Sequence, residues 1–405
     1  MLGSVKIYTG GHLNWVILCA VLAAALSFAA IDRGPSAMAQ TLRELRPQYA
    51  PLLLAWTLFV TGFVVAGLLH AGSAMLPLLK YGAILVVLLA LLALDVRAKH
   101  VQRALILALI LGVLPVLVLA LLRVTPLLVI LGDGRMGWAA IWPGVLWKVG
   151  AFIWPLAVWQ CMHNRGPSSY LLALGSALAM ALDGSRTSML WLALAWLSVL
   201  FLARWVKLPN STLKAQVPLL CMVVVTYSLL QPLILGWTLG ADGGRVVFPG
   251  QAEWSVLIPS LEVESTSRRL ITGDNHTRLD MLRAGLSNVA SSFPIGCGFG
   301  CSVAEEGQLA VVVHMTYLQV LADGGLLALA GYVLILAYPL YRAVIFLMER
   351  SHLVPSRVDV LFVPVSVLVL YLFGGLFHPL SNELTEWGIV VAAIASIINH
   401  VARRH

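Results

Sequence analysis

Apolar runs of about 15 to 22 residues recur along the sequence from Leu13 to Ile398. Each run is close to the roughly 20 residues that an α-helix needs to cross the hydrocarbon core of a bilayer. Charged residues make up 11% of the chain and AVILMFWYC residues 60%, against about 25% and 45 to 50% in soluble domains. So few charges could not cover a water-soluble particle. The composition therefore excludes a soluble globular enzyme and predicts an all-α polytopic membrane protein in a lipid bilayer.

The spacing of the apolar runs predicts eleven transmembrane helices, and a missed span or a broken helix before residue 100 would give twelve. The predicted spans are 14–31, 51–70, 75–94, 104–122, 137–160, 168–183, 187–205, 216–236, 325–347, 358–377 and 384–401. Helices are the reasonable form, because lipid makes unpaired backbone groups costly and barrel strands would be shorter and alternating. The first run imitates a secretory signal, but ten more follow it, so we interpret it as a retained span.

Basic residues in the connectors predict the orientation of these spans. They are Arg97, Lys99, Arg103, Arg165, Arg204, Lys207, Lys214, Arg342, Arg350, Arg357, Arg403 and Arg404. Counting spans between them places all of them on one face, which the positive-inside rule assigns to the cytoplasm. The net charge of +8 therefore reflects topology, and short clusters between apolar runs do not indicate a nucleic-acid partner.

The orientation divides the chain into three predicted parts. Residues 1–236 form an N-terminal transmembrane bundle, 237–324 a large non-cytoplasmic loop region with short helices, and 325–405 the C-terminal transmembrane helices. The loop region is polar and glycine-rich. Loops of this length in compact proteins are usually functional or disordered, so this region is a candidate location for a functional site.

Two segments of the loop region carry candidate functional residues. Thr277 and Asp280 resemble a capping box that begins a helix, with Arg278 in its first turn and Arg283 farther along. The segment Phe293–Gly300 has three glycines, which suit a tight turn; no strand precedes it, so a dinucleotide site is a poor interpretation.

His314 follows this segment, near the predicted outer boundary of the next span. An imidazole there can accept a proton near neutral pH, or can simply be an interfacial histidine bonded to a carbonyl.

The connector Asp183–Ser188 lies on the same predicted face. Gly184 suits a helix end and Ser185 the N-cap of the next helix, which puts Arg186 in a first turn. An arginine opposes the helix dipole there, but together with the unpaired N–H groups it makes a good phosphate or pyrophosphate site.

Three further candidates have weaker support. Lys148 lies inside a predicted span, where charges are functional by default, although its long stem could snorkel. Lys80, near the outer end of its span, suits an interfacial anchor. His378 lies beside Pro379 in an outer connector and could support a site or be incidental.

The cysteines of the loop region leave two possibilities open. Cys297 and Cys301 could form a disulfide on an oxidising face or be two buried thiols. Together with His276 they match no strong zinc spacing, so no metal is expected.

The residues of these segments resemble the O-antigen ligase family. That family shows a His-[Asn/Ser/Gln]-x9-Gly-x-x-Gly motif, to which His314 and Gly325 correspond in spacing, while Met315 and Ala328 depart from it. Arg278-Leu279, Pro294-Ile-Gly296-Cys-Gly298 and Ser185-Arg186 are similar to its other motifs, with Leu282 where an aromatic is common. The resemblance spans about 145 residues, from Ser185 to Ala328.

The resemblance implies a GT-C-like glycosyltransferase of a bacterial inner membrane, independent of metal and cofactor, with a periplasmic active site. The donor would be a glycan on undecaprenyl pyrophosphate and the acceptor a sugar hydroxyl of lipid A-core. His314 would be the general base of an inverting transfer, and Arg186 and Arg278, with Arg283 as a weaker candidate, would bind the pyrophosphate. We expect these groups to converge in one cavity.

Two kinds of alternative remain open. An O-antigen polymerase or a protein O-oligosaccharyltransferase would use the same donor and a similar loop. A membrane transporter or lipid flippase is the rival from another class, but transporters tend to place ionisable groups at mid-membrane, where the sequence offers Lys148.

Overall fold

The computed structural model describes residues 35–70, 75–124, 127–130, 134–138, 141, 143–163, 166–205, 214–243, 245–247, 262–264, 276–306, 309–349, 356–378 and 384–402. The helices are α1 Pro35–Leu69, α2 Met75–Ala93, α3 Ala98–Leu121, α4 Leu146–His163, α5 Pro167–Asp183, α6 Arg186–Trp205, α7 Gln216–Val225, α8 Gln231–Gly243, α9 His276–Ser292, α10 Thr316–Glu349, α11 Ser356–Gly374 and α12 Leu384–Ala402. A short π-helical segment, Thr226–Leu230, joins α7 to α8. Short strands form three two-stranded ribbons: β1 Leu128–Ile130 with β2 Met136–Trp138, β3 Arg245–Val247 with β4 Glu262–Glu264, and β5 Val303–Glu306 with β6 Leu309–Val312.

The structure is that of an all-helical membrane protein. Within the described residues, four helical segments are long and apolar enough to cross a membrane: Pro47–Leu69, Ala98–Leu121, Gln216–Leu239 and Thr316–Glu349. Each of the ten predicted spans after the first coincides at least in part with a helix. The first, 14–31, lies outside the described residues, and the total of eleven or twelve spans stays a prediction.

One predicted span begins too early. Residues predicted to start the span 137–160 instead form strand β2, and α4 begins only at Leu146. Gly137 lies so close to the following backbone that a Cβ on it would be 2.6 Å from the Ile141 carbonyl oxygen. Gly144 has a φ of +104°, which a helix cannot accommodate. As a consequence, Lys148 lies in the first turn of α4 and not in the middle of a span.

The described helices group into two compact units. Among the described residues, unit 1 contains those between 102 and 264 and between 356 and 366, and unit 2 contains those between 35 and 101, between 276 and 349 and between 367 and 402. Each unit therefore combines segments that are distant in the chain. The predicted three-part division of the sequence stays a prediction.

Unit 1 is built around α4, which is buried along most of its length. A helix that is apolar all round belongs in an interior. The hydroxyl of Ser176 in α5 donates to the Gly150 carbonyl at 2.6 Å, and a Cβ on Gly150 would lie 2.6 Å from the Ser176 carbonyl oxygen. Trp191 of α6 packs edge-on against Trp147, with ring centroids 5.2 Å apart.

Unit 2 is built on the contact between α1 and α10. A Cβ on Gly62 would lie 2.7 Å from both the Ala328 Cβ and the Gly324 carbonyl oxygen, so the missing side chain lets the two backbones approach closely. Six buried aromatic rings extend this core, with neighbouring centroids 4.6 to 6.4 Å apart. They belong to Trp56, Phe59, Phe63, Tyr81, Tyr332 and Trp387.

Hydrogen bonds identify the two ends of unit 2. At one end, Thr316 N, at the start of α10, donates to the Gly375 carbonyl just after α11, at 2.7 Å. At the opposite end, Asn399 Nδ2 near the end of α12 donates to the Val96 carbonyl just after α2, at 3.1 Å. The end that holds Thr316 and Gly375 is called the turn end below, because it also carries the glycine-rich segment.

Candidate functional site

The predicted loop helix is present as α9 and packs against α10. Its buried positions include Met281 and Gly285, whereas Leu279 and Leu286 are 44% and 53% exposed. A Cβ on Gly285 would lie 2.8 Å from Leu318 Cδ2, so this glycine allows the close approach of α9 to α10. Met281 and Gly285 therefore mark the packed face of α9.

The glycine turn, Phe293–Gly300, packs on a break in α10. The break lies at Gly325, whose φ of 72° and ψ of −172° are not helical. A Cβ on Gly296 would lie 2.5 Å from Gly325 N, and the backbone N–H of Cys297 donates to the Ala322 carbonyl at 2.8 Å. Two motifs that are separate in the sequence thus pack together as one piece of structure.

Asp323 joins the glycine turn to α10 with three acceptors. Its carbonyl oxygen accepts from Gly298 N at 3.0 Å. Its carboxylate oxygens accept from Gly300 N at 3.0 Å and from Ser302 N at 2.9 Å. Asp323 is 1% exposed. Since a buried carboxylate is costly unless it is hydrogen-bonded, these bonds explain how it is accommodated.

Cys297 and Cys301 are joined in a disulfide that closes the turn. Their sulfur atoms and the Asp323 carboxylate lie within 4.8 Å of one another, a grouping that could in principle hold a metal ion. Disulfide sulfurs are not thiolate ligands, and the carboxylate oxygens already accept backbone N–H groups. The donor set in this form does not fit a metal, and the cluster serves as a scaffold.

His314 lies at the turn end, half-buried, between β6 and α10. Val313 N donates to the Ser302 carbonyl at 3.2 Å, which ties the His314 segment to the residues after the glycine turn. Thr316 N and Thr316 Oγ1 donate to the His378 carbonyl at 2.9 and 2.7 Å. The backbone of His378 therefore lies beside the segment that holds His314.

The structure describes the side chain of Arg283 but not that of Arg278. Arg278 lies in the first turn of α9, as predicted, and its side chain is outside the described residues. Arg283 is exposed and pairs with Asp280 at 3.1 Å on the helix surface. Such a surface pair is weak, so Arg283 can exchange partners readily.

Arg186 begins α6 directly after the predicted helix end. Gly184 caps α5 with a φ of 67°, and its N–H donates to the Met180 carbonyl at 3.1 Å. The predicted position of Arg186 in a first helical turn is confirmed, while its side chain lies outside the described residues. Arg186 belongs to unit 1, and Arg278 and His314 belong to unit 2. Their expected convergence stays a prediction.

Asp183 anchors the connector that carries Arg186. Its carboxylate accepts from Gly144 N at 2.7 Å and from Trp147 N at 2.8 Å, at the start of α4. Acceptors at this position satisfy N–H groups that a helix start leaves unpaired, and a negative charge there is favourable. Lys148 is buried in the same turn, with its Nζ 5.9 Å from the Trp147 ring centroid.

Lys80 lies in α2 at the turn end. It is half-buried, and its Nζ lies 5.4 Å from the ring centroid of Phe299 in the glycine turn. Asp323 lies within the His314–Gly325 motif in a position compatible with the family resemblance, but no role was predicted for it or for Phe299. The sequence signals at these positions are the glycines on either side of Phe299 and the Gly-Gly pair that follows Asp323.

The chain was also compared with known proteins. A scan against protein-family models and a search of curated proteins each found no match.

Proposed function

We propose that the protein is an O-antigen ligase, which transfers O-antigen polysaccharide from undecaprenyl pyrophosphate to a lipid A-core sugar hydroxyl. One observation carries the proposal. Gly296 and Gly325, which belong to two motifs of the resemblance, contact each other, and the His314 segment is tied to the same scaffold. If the resemblance were a coincidence, there would be no reason for its separate motifs to pack against each other.

The proposed chemistry is a single inverting displacement. His314 accepts the proton of the acceptor hydroxyl, whose oxygen attacks the anomeric carbon from the face opposite the pyrophosphate. The bond between that carbon and the phosphate oxygen breaks, and undecaprenyl pyrophosphate leaves with the electron pair. Fixed cations lower the barrier by stabilising the charge on the leaving group. We assign this role to Arg186 and Arg278, with Arg283 as a weaker candidate.

The proposed location is the periplasmic side of a bacterial inner membrane. Both substrates carry lipid, so a site at the edge of the bilayer allows their tails to stay in hydrocarbon while the sugars react outside. The four long apolar helices support the membrane setting. The periplasmic side follows from the positive-inside rule applied to the basic connectors.

The test is a transfer assay with purified protein, lipid-linked O-antigen and lipid A-core, read as a gel shift of the acceptor. The wild type is expected to transfer with or without EDTA, and His314→Ala to lose transfer by about 100-fold or more, since a general base contributes roughly that factor. His70→Ala is the matched control, because His70 is an exposed histidine after α1. Normal transfer by His314→Ala would overturn the base assignment.

The same assay separates the neighbouring functions. Elongation of the lipid-linked glycan without any shift of lipid A-core would identify a polymerase. Transfer to a protein acceptor would identify an oligosaccharyltransferase. Movement of the lipid-linked glycan across vesicles without any product would identify a flippase and end the proposal.

A further inference from the structure

The connector between α5 and α6 is buried although it is polar. Asp183, Ser185, Thr187 and Ser188 are each at most 6% exposed. Arg186 lies in the middle of this stretch, at the first position of α6. The backbone that carries Arg186 is therefore enclosed by protein, where polar groups need hydrogen-bond partners.

A chain of two hydroxyl groups fixes the start of α6. Ser188 Oγ donates to the Ser185 carbonyl, and it lies 2.9 Å from the hydroxyl oxygen of Tyr227. A hydroxyl group has one hydrogen and two lone pairs. Because the hydrogen of Ser188 is directed at the Ser185 carbonyl, Tyr227 must be the donor to Ser188. The bonds therefore run in one direction, from Tyr227 through Ser188 to the residue directly before Arg186.

Asp183 holds the connector on its other side. Its carboxylate accepts from Gly144 N and Trp147 N at the start of α4. Arg186 thus lies between two buried anchors, three residues after Asp183 and two residues before Ser188. Since both sides of this short stretch are fixed, the Arg186 backbone is held in place before any ligand binds, which reduces the entropic cost of binding.

Tyr227 itself is held by an unusual piece of helix. It belongs to the π-helical segment Thr226–Leu230 and is 1% exposed. Gln231, directly after this segment, is fully buried, and its Nε2 donates to the Gly134 carbonyl between β1 and β2 at 3.3 Å. Segments of π-helix are rare and frequently mark functional sites. The segment is fixed at its end, so Tyr227 is a stable reference point for the connector.

The bond between Tyr227 and Ser188 contributes little to stability. Hydrogen bonds between transmembrane helices change a folding equilibrium by only about 3-fold on average. A phenylalanine would fill the same space without a hydroxyl group that needs a partner. A buried hydroxyl pair instead defines one geometry, because the bond forms only over a narrow range of distance and direction. The main effect of the pair is therefore on the position of the connector.

We infer that Tyr227 is a positioning residue for Arg186. Its hydroxyl, acting through Ser188 and Ser185, holds Arg186 where it binds the diphosphate of the lipid-linked donor. The inference rests on the proposed function, in which Arg186 binds this group. It adds Tyr227 and Ser188, neither of which belongs to the motifs of the resemblance.

The experiment uses the full chain in lipid nanodiscs and two readouts. The first is the direct binding of undecaprenyl pyrophosphate, and the second is the KM for donor and, separately, for acceptor in the transfer assay. Tyr227→Phe removes the hydroxyl and keeps the ring, and Ser188→Ala removes the same bond from the other side. Tyr338→Phe is the matched control, because the Tyr338 hydroxyl in α10 also bonds another helix, donating to the Gln48 carbonyl at 2.9 Å.

The expected result is selective. Arg186→Met should weaken undecaprenyl pyrophosphate binding and raise the donor KM by about 10- to 100-fold, the range for a lost charged hydrogen bond, and Tyr227→Phe by about 5- to 10-fold. The acceptor KM should stay unchanged, and Tyr338→Phe should behave as wild type. Adding Tyr227→Phe to Ser188→Ala should cause no further loss, because the Tyr227 hydroxyl acts through Ser188.

The decisive comparison is made in the Arg186→Met chain. There Tyr227→Phe should cause no further loss, because a positioning residue has no effect once the group that it positions is gone. A tyrosine that only supports the fold would weaken binding by the same factor in both backgrounds. That result, a wild-type donor KM in Tyr227→Phe, or an equal loss in Tyr338→Phe would overturn the inference. If Tyr227→Phe does not fold, Ser188→Ala in the two backgrounds gives the same test.

The two proposals fail in different ways. If undecaprenyl pyrophosphate binding depends on Arg186 and Tyr227 as described but nothing is transferred to lipid A-core, the proposed function fails and this inference stands. If the wild type transfers glycan and Tyr227→Phe matches it in both readouts, the inference fails and the proposed function stands.

Discussion

Substituting Gly325 by alanine tests the connection between the break in α10 and the glycine turn. Gly325 has a φ of 72° and a ψ of −172°, a conformation that L-residues rarely adopt. A Cβ there would overlap the carbonyl groups of Ile295 and Pro294. Both obstacles are backbone atoms held by the turn, so neither can move like the end of a flexible side chain.

The expected loss of stability has two parts. The unfavourable backbone conformation costs about 1 to 3 kcal/mol. Overpacking against a fixed neighbour costs about another 1 to 3 kcal/mol. The sum is about 2 to 6 kcal/mol. At about 2 °C per kcal/mol, a value for chains of moderate size, Gly325→Ala should lower the unfolding temperature by roughly 4 to 12 °C.

The assay is thermal unfolding of purified protein in one detergent, followed by tryptophan fluorescence and by monodispersity on a sizing column. Gly82→Ala is the matched control, because Gly82 lies within α2 and a Cβ on it would meet no atom within 4 Å. Alanine in a helix interior is favoured over glycine by about 0.5 to 1 kcal/mol, so this control should unfold at the same or a slightly higher temperature. Equal unfolding temperatures for Gly325→Ala and wild type would refute the close packing of turn and break.

Two carboxylates give further predictions. Asp323→Asn should lower the unfolding temperature, because an amide has one acceptor oxygen where the carboxylate has two, so the N–H of either Gly300 or Ser302 loses its acceptor; an unsatisfied donor costs about 1 to 3 kcal/mol when it is buried. Thermal unfolding measures this, and an unchanged midpoint would contradict the assignment. Asp183→Asn should cost a similar amount by leaving one N–H at the start of α4, such as that of Trp147, without its acceptor. Thermal unfolding checks it as well, and wild-type stability would show that the loss of one of the two bonds, to Gly144 or to Trp147, costs nothing.

The sequence predicted most of the helices because lipid-facing and interior positions of a membrane protein are both apolar. The same property explains the error at 137–145. That stretch is apolar and aromatic, so hydropathy alone extends the span through it. The close backbone contact at Gly137 and the positive φ of Gly144 are incompatible with a helix, which begins only at Leu146. The two glycines were the sequence signal for the later start of α4, and hydropathy averaged over a window does not detect them.

The pairing of distant segments was beyond sequence reasoning. Hydrophobic periodicity reports which face of one helix is apolar, and it contains no information on which turn meets which helix. The contact of Gly296 with Gly325 and the bonds of Asp323 to Gly300 and Ser302 are of this kind. The roles of Phe299 and Asp323 became clear only when these segments were placed together.

Ala328, which stands where the family motif has its last glycine, shows that this position serves helix packing and not the chemistry of the motif. Ala328 replaces a motif glycine and is fully buried, and the space for its methyl group comes from Gly62 on α1, which has no side chain. The structural requirement at this position is therefore the close approach of α1 and α10. A glycine on either helix allows that approach. Gly325 likewise serves packing against the glycine turn. Backbone contacts account for the small residues of the motif. The candidates for its chemical function are therefore the polar side chains at the turn end, His314 and Lys80.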